Sequence, residues 1–241
     1  MGIRRGIVYK FRKSLRKRGV AGTVKECFRV APLLFMKMTP SWRRHKAEQR
    51  KFDSERGLIT ESLIFLDDME IPGPNAALGS AYQATAVGDL EGVLDELALD
   101  YSGYTFIDIG CGLGRPLFAA AEYPFRRIVG VEFAPDLHAL ASRNLASYRS
   151  GRQRCRQIEV LCMDGADYIF PAEKTVLFLF NPFKQPVMEI VLANLERSLA
   201  ESPRHVVILY RWPYLKDLFD RAPFLRLVKT KPHWAIYETS V

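Results

Sequence analysis

The chain's 241 residues are 48% hydrophobic and 12% aromatic, which suits one sizeable core plus an extension. Its net charge of +8 is uneven: 16 basic residues stand against Glu26 and Glu48 through Lys51, while the remainder carries 19 basic and 25 acidic residues. Cys27, Cys111, Cys155 and Cys162 form no CxxC pair and no Cys/His cluster with zinc spacing, which excludes a structural zinc site and points to free thiols in a reducing, cytoplasmic compartment.

The basic arm, residues 1–51, has its longest apolar run at 30–36, broken by Pro32 and far short of the ~20 residues that span a bilayer. Arg and Lys recur through Arg18, so a secretory signal is not expected, and Gly6 stands where an acylation motif wants Ser or Thr. Ile3, Ile7, Phe11 and Leu15 recur every four residues among basic neighbours and predict an amphipathic helix. Such a helix can lie on an anionic membrane surface, rest on nucleic acid through charge, or dock on its own domain with its charges in water. An Arg-rich, acid-poor arm also suits a mitochondrial presequence, so it leaves the compartment open.

Residues 52–86 read as a linker and a segment covering the site, with Pro72, Gly73 and Pro74 interrupting any helix. The domain proper, 87–241, opens on a helix over 87–99. Short β-branched and aromatic runs at 104–109, 127–133, 158–163, 176–180 and 205–210 predict buried strands, and helical stretches at 117–122, 135–148 and 187–199 lie between them. This alternation predicts an α/β fold with right-handed crossovers and a mainly parallel sheet. The last two runs, 224–229 and 233–238, are separated by three residues, too few for a parallel crossover, and predict a C-terminal antiparallel hairpin.

In an open α/β sheet, ligands sit beyond the carboxyl ends of the strands, so the residues after each strand matter most. The first strand runs through Asp108 into Gly110, Cys111, Gly112, Leu113 and Gly114. Glycines let the backbone turn sharply and approach a ligand closely. The dinucleotide fingerprint GxGxxG would place its third glycine at 115, where the chain has Arg115. A carboxylate at Asp108 sits badly beside a pyrophosphate and well beside a cation. The second strand ends in Glu132, 24 positions on, near the ~20-residue offset of ribose-binding acids in related sheets. The third ends in Asp164 and Gly165, and the fourth in Asn181, Pro182 and Phe183.

From Asp108 to Gly114 the chain resembles the first motif of the class I S-adenosylmethionine-dependent methyltransferases, and the likeness continues in order from about Tyr82 to Glu238. The resemblance implies a Rossmann-like fold with a seven-stranded sheet and S-adenosylmethionine as cofactor. The methionyl end would lie against Asp108, Gly110, Cys111, Gly112 and Gly114, the ribose on Glu132, and the adenine amino group near Asp164 and Gly165. Asn181, Pro182 and Phe183 match the segment that holds the methyl acceptor. The amino-methyltransferase pattern has two prolines there; this chain has one, with its aromatic one place early, which puts nucleobase methylation in doubt. An Asn-Pro turn closing a strand is the plain alternative. Tyr82 and Thr85 resemble a segment that, in some protein lysine methyltransferases, folds over the cofactor and shapes the acceptor channel, which implies Thr85 as a cofactor contact and Tyr82 as an acceptor-side residue; Thr85 is equally an N-cap for the next helix.

The four histidines are scattered, and there is neither a GxSxG elbow nor a Walker loop. Cys111 has no partnering His and reads as a small loop residue. The expected function is methyl transfer to an unidentified acceptor, a protein amine or a small molecule. The alternatives are a non-catalytic S-adenosylmethionine-binding module acting through its arm, and an NAD-type oxidoreductase. No metal is expected.

Overall fold

A computed structural model describes residues 39–64, 71–80 and 82–240. The amphipathic helix expected over the first fifteen residues lies outside them. The chain divides between Arg50 and Lys51, and the unit Lys51–Val241 holds all the described strands. Among the described residues no helix is long and apolar enough to cross a membrane.

Helix α1 (Pro40–Arg56) ends in this unit, and its Asp53 organises the turn after it. One Asp53 oxygen accepts from the backbone N–H groups of Thr60 (2.8 Å) and Glu61 (2.9 Å), and the other from the Thr60 hydroxyl (2.6 Å). Next comes a two-residue antiparallel pair, β1 (Leu63–Ile64) and β2 (Tyr82–Gln83), then helix α2 (Val87–Leu97). The rest alternates: β3 (Thr105–Ile109), α3 (Arg115–Ala120), β4 (Arg127–Glu132), α4 (Pro135–Ser147), β5 (Ile158–Cys162), β6 (Thr175–Phe180), α5 (Gln185–Glu201), β7 (Val206–Arg211), α6 (Lys216–Asp220), β8 (Leu225–Lys231) and β9 (Trp234–Thr239).

The seven strands from β3 onward form one sheet in the order β5-β4-β3-β6-β7-β9-β8. The first five are parallel, and β9 runs antiparallel to both β7 and β8. Strands covered on both faces need apolar side chains on both, which is why β3, β6 and β7 read as nearly unbroken apolar runs. Their period-two alternation sends Phe106, Ile128, Val176, Phe178 and Val207 into one core layer and Ile107, Val129, Leu177, Leu179 and Ile208 into the other. Asp108 interrupts this pattern: it is 2% exposed in the middle of an apolar strand.

The seven-stranded sheet and terminal hairpin agree with expectation; several boundaries differ. Helix α2 stops at Leu97 because Ala98 turns left-handed (φ 48°). Helix α3 begins at Arg115, two residues early, because Gly114 (φ 84°) delivers the chain directly into it with Pro116 in the first turn. The hairpin turn is tighter than expected, Pro232 and His233 alone, with His233 left-handed at φ 67°. Helix α1 continues the helical arm expected over 1–51 into the stretch read as linker, while the β1–β2 pair and α6 were not anticipated, since two-residue strands and a five-residue helix are too short to show a period. Thr85 does not cap α2: the N-cap is Ala86, without a side-chain bond.

Candidate cofactor and acceptor cleft

The strand order reverses between β3 and β6, and a cleft of about 220 Å³ opens beyond their carboxyl ends. Its floor is the glycine loop. The N–H groups of Gly110 and Cys111 both donate to the Val131 carbonyl (2.8 and 3.0 Å), tying the loop to β4. Glu132 completes the tie: one oxygen accepts from Gly112 N–H (2.8 Å), the other from Ala134 N–H (2.9 Å).

Three left-handed glycines make this loop possible: Gly110 (φ 83°), Gly112 (φ 55°) and Gly114 (φ 84°). A Cβ on Gly110 would meet Pro182 at 2.6 Å, and one on Gly112 would lie 2.0 Å from the Tyr82 ring. Gly112→Ala is therefore expected to cost about 2 kcal/mol or more from the left-handed backbone and the displaced ring, a fall of roughly 4–8 °C in melting temperature. Circular dichroism melts check this; an unchanged midpoint would show that the ring gives way freely.

The wall facing the loop includes Ser80, Tyr82, Gln83 and Thr85. Ser80 N–H donates to the Pro182 carbonyl (3.0 Å), Lys184 N–H to the Leu78 carbonyl (2.9 Å), and Gly79 pairs with Phe183 as an antiparallel bridge. The Tyr82 hydroxyl donates to the Thr60 carbonyl (2.8 Å), so this side chain presents its ring to the cleft. Burial raises its phenol pKa far above the usual range, which removes it as a base. Behind this wall Arg115, 1% exposed, binds Asp53 (3.1 Å), Glu61 (2.9 Å), the Thr60 hydroxyl (2.5 Å) and the Thr85 carbonyl (3.4 Å). The residue that spoiled the dinucleotide fingerprint is thus a clamp between the covering segment and the start of α3.

Of the sequence-derived site residues, Tyr82, Thr85, Asp108, Gly110, Cys111, Gly112, Glu132, Asn181, Pro182 and Phe183 line the cleft together. Gly114, Asp164 and Gly165 are not among the lining residues. Gly114 is the N-cap of α3. The Asp164 carboxylate accepts from Ala166 N–H (2.9 Å) and the Asn75 amide (2.8 Å), and Gly165 makes room for Ile109 and the Phe183 ring. The Cys111 thiol is 2% exposed, its pKa pushed well up by burial and then by Asp108 and Glu132, as suits a packing residue.

Sequence reasoning reached only the first four strand ends, and so missed Trp212 and Tyr214, which follow β7 and line the cleft. Asn181 (φ 42°) and Trp212 (φ 49°) both hold left-handed backbone at neighbouring strand ends, a strain typical of functional turns. Trp212 N–H donates to the His233 carbonyl (2.7 Å), and the two rings stack at 3.8 Å. The Tyr210 hydroxyl donates to the Asn181 side-chain oxygen (3.4 Å).

The electrostatics of the cleft are one-sided. Its lining contains the carboxyls of Asp108 and Glu132 and no Lys, Arg or His. One Asp108 oxygen, Oδ2, is buried without a hydrogen-bond partner among the described residues. Burial, then the neighbouring Glu132, raises its pKa well above the usual carboxylate range. Desolvation alone pushes Glu132 up to about 6, against the backbone N–H groups that hold its charged form. Such a site suits a cationic ligand and repels a pyrophosphate. No group of His, Cys, Asp or Glu among the described residues has the make-up of a metal site.

Residues 106–202, from the strand bearing Asp108 to the end of α5, match the family model of the methyltransferase domain. Over this region the chain is similar to methyltransferase domains. Among curated proteins, the chain is 29% identical over 143 residues to the histone-lysine N-methyltransferase, H3 lysine-79 specific, of Dictyostelium discoideum; the match covers 55% of this chain and 7% of that protein. Solved structures similar to this chain include a SAM-dependent methyltransferase from Aquifex aeolicus (16% identity, TM-score 0.48, 64% of this chain and 90% of that one). An RNA methyltransferase from Salinibacter ruber is 24% identical, with TM-score 0.41, over 70% of this chain and 92% of that one.

Proposed function

We propose that this chain transfers the methyl group of S-adenosylmethionine to an amine entering between Asn181 and the Trp212–Tyr214 turn. The buried, unpartnered Asp108 oxygen beside the glycine loop is the observation that carries this reading. In it, Asp108 receives the cationic methionyl end and Gly110 and Gly112 let the backbone approach. Glu132 turns its remaining lone pairs to the ribose hydroxyls. Asp164 takes the adenine amino group, since each of its oxygens keeps a second lone pair beside the bond it already accepts.

The sulfonium supplies an activated methyl, so the protein's work is positioning and water exclusion, worth up to ~7–11 kcal/mol in well-oriented cases. Phe178, Phe180, Phe183 and Trp212 give the acceptor side apolar walls, while the Asn181 side-chain oxygen, steered by Tyr210, is placed to accept from an amine N–H. No His lines the cleft, so an ammonium acceptor loses its proton to water on entry. Support for an amine also comes from the name of the Dictyostelium relative, whose acceptor is a lysine. We place the protein in the cytoplasm, with its basic arm as the part that meets an anionic membrane or nucleic acid.

Incubation with methyl-labelled cofactor and a fractionated cell extract tests this. Label is expected in the protein fraction, falling tenfold or more with Asn181→Ala while S-adenosylhomocysteine still binds. Label confined to lipid or nucleic acid would refute the amine reading, and none in any fraction would leave a binding module.

The raised Glu132 carboxyl sets a pH dependence with two opposite signs. The folded chain holds this proton more tightly than the unfolded chain, so Glu132's contribution to stability is greatest at low pH and is lost as pH rises through about 6. Ligand binding runs the other way, because only the carboxylate accepts from both ribose hydroxyls. Affinity for S-adenosylhomocysteine is expected to be flat above pH ~7 and to fall toward tenfold per unit below about 6, measured by calorimetry between pH 5 and 8. A flat profile would remove Glu132 from ribose binding.

A further inference from the structure

The acidic balance of the body hides a local reversal at the end of the sheet opposite the cleft. No Asp or Glu occurs between Asp136 and Glu159, and that stretch carries Arg143, Arg149, Arg152, Arg154 and Arg156, with no lysine. Parallel pairing sets Ile128 opposite Ile158, so Arg126 and Arg156, two residues before each, enter their strands side by side. The loops are bound together, Arg154 and Cys155 both donating N–H to the Ala121 carbonyl (2.8 and 3.0 Å). Arg126, Arg154 and Arg156 are exposed, and none of their guanidinium groups makes a hydrogen bond or ion pair among the described residues. The acids at this end are engaged by other arginines, Glu122 by Arg56 and Arg152 and Glu159 and Glu173 by Arg127, so these three like charges repel one another, a cost that an anion relieves.

We propose that these arginines form a docking face for the phosphate backbone of nucleic acid, separate from the methyl-transfer cleft. Guanidinium groups grip phosphate oxygens in bidentate fashion, which favours arginine over lysine for this task. Among the described residues neither loop itself carries an exposed large apolar side chain, the nearest being Ile59 in the turn after α1, so the two loops lack the apolar insert of a lipid-binding surface. The last turn of α1 lies against these loops, with Arg56 bound to Glu122 (2.6 Å) and its carbonyl accepting from Arg149 N–H (3.0 Å). The strands are ~3.3 Å per residue, so a partner gripped here spans some 20 Å to reach the cleft, as a polymer does.

The test uses the full chain and a fluorescent 20-base-pair duplex, with anisotropy followed from low to high salt. The triple variant R126Q/R154Q/R156Q is expected to bind at least tenfold more weakly than wild type at 100 mM salt. Its slope of log affinity against log salt should be shallower by about 2–3, close to one for each phosphate that an arginine no longer neutralises. S-adenosylhomocysteine binding should be unchanged, which shows the variant is folded. R197Q/R221Q/R226Q, removing three arginines elsewhere, should lose much less. Equal losses in the two variants, an unaltered slope, or binding of the same arginines to phosphatidylserine vesicles but not to duplex would each overturn the proposal.

Discussion

Arg115→Met is expected to destabilise the fold by about 3–5 kcal/mol, the usual cost of removing one partner from a buried ion pair. The guanidinium is 1% exposed and faces two carboxylates, Asp53 and Glu61, so methionine fills the space but leaves both acids without their cation. Asp53 retains three hydrogen bonds from Thr60 and Glu61, which puts the loss nearer the lower figure. For a domain of this size the melting temperature should fall by ~6–15 °C. Restoring neutrality with Glu61→Gln in the Arg115→Met background should recover part of it. A melting temperature within 2 °C of wild type (under about 1 kcal/mol) would show that the covering segment does not depend on this clamp.

Asp108→Asn should separate binding from stability. The substitution keeps the shape and removes the charge, and a hydrogen bond to a charged group is worth ~1.5–3 kcal/mol. Affinity for S-adenosylhomocysteine, whose methionyl ammonium remains cationic, should therefore fall about 10- to 100-fold. Stability should hold or rise, because a buried carboxyl with an unpartnered oxygen and a raised pKa is a burden on the empty protein. Calorimetry and thermal melts on the same preparation check both signs. A variant that binds normally, or one that loses binding only because it unfolds, would remove Asp108 from the cofactor site.

The sequence made the sheet legible because strands buried on both faces leave continuous apolar runs, and because the gap before the last run was too short for a crossover. The cleft floor was legible for a related reason: a polar residue inside such a run, like Asp108, stands out. The role of Arg115 was not legible. Its partners lie 54 to 62 positions upstream, Asp53 near the end of α1 and Thr60 and Glu61 in the turn after it, which has no period. Thr85 looked like a cap from composition alone, but the helix began one residue after a non-capping Ala86, leaving Thr85 to face the cleft. Trp212 and Tyr214 were within reach of the strand-end rule, which applied to β7 as much as to β3; only the left-handed turn that aims them needed coordinates.

The chemistry of the whole cleft reduces to a preference for a positively charged nucleoside over a negatively charged one. Titrating the intact protein calorimetrically with S-adenosylmethionine, and separately with NADH, measures that preference directly. One saturable site per chain for the sulfonium compound and no heat from the dinucleotide is the expected outcome; silence toward S-adenosylmethionine with saturation by NADH would contradict it.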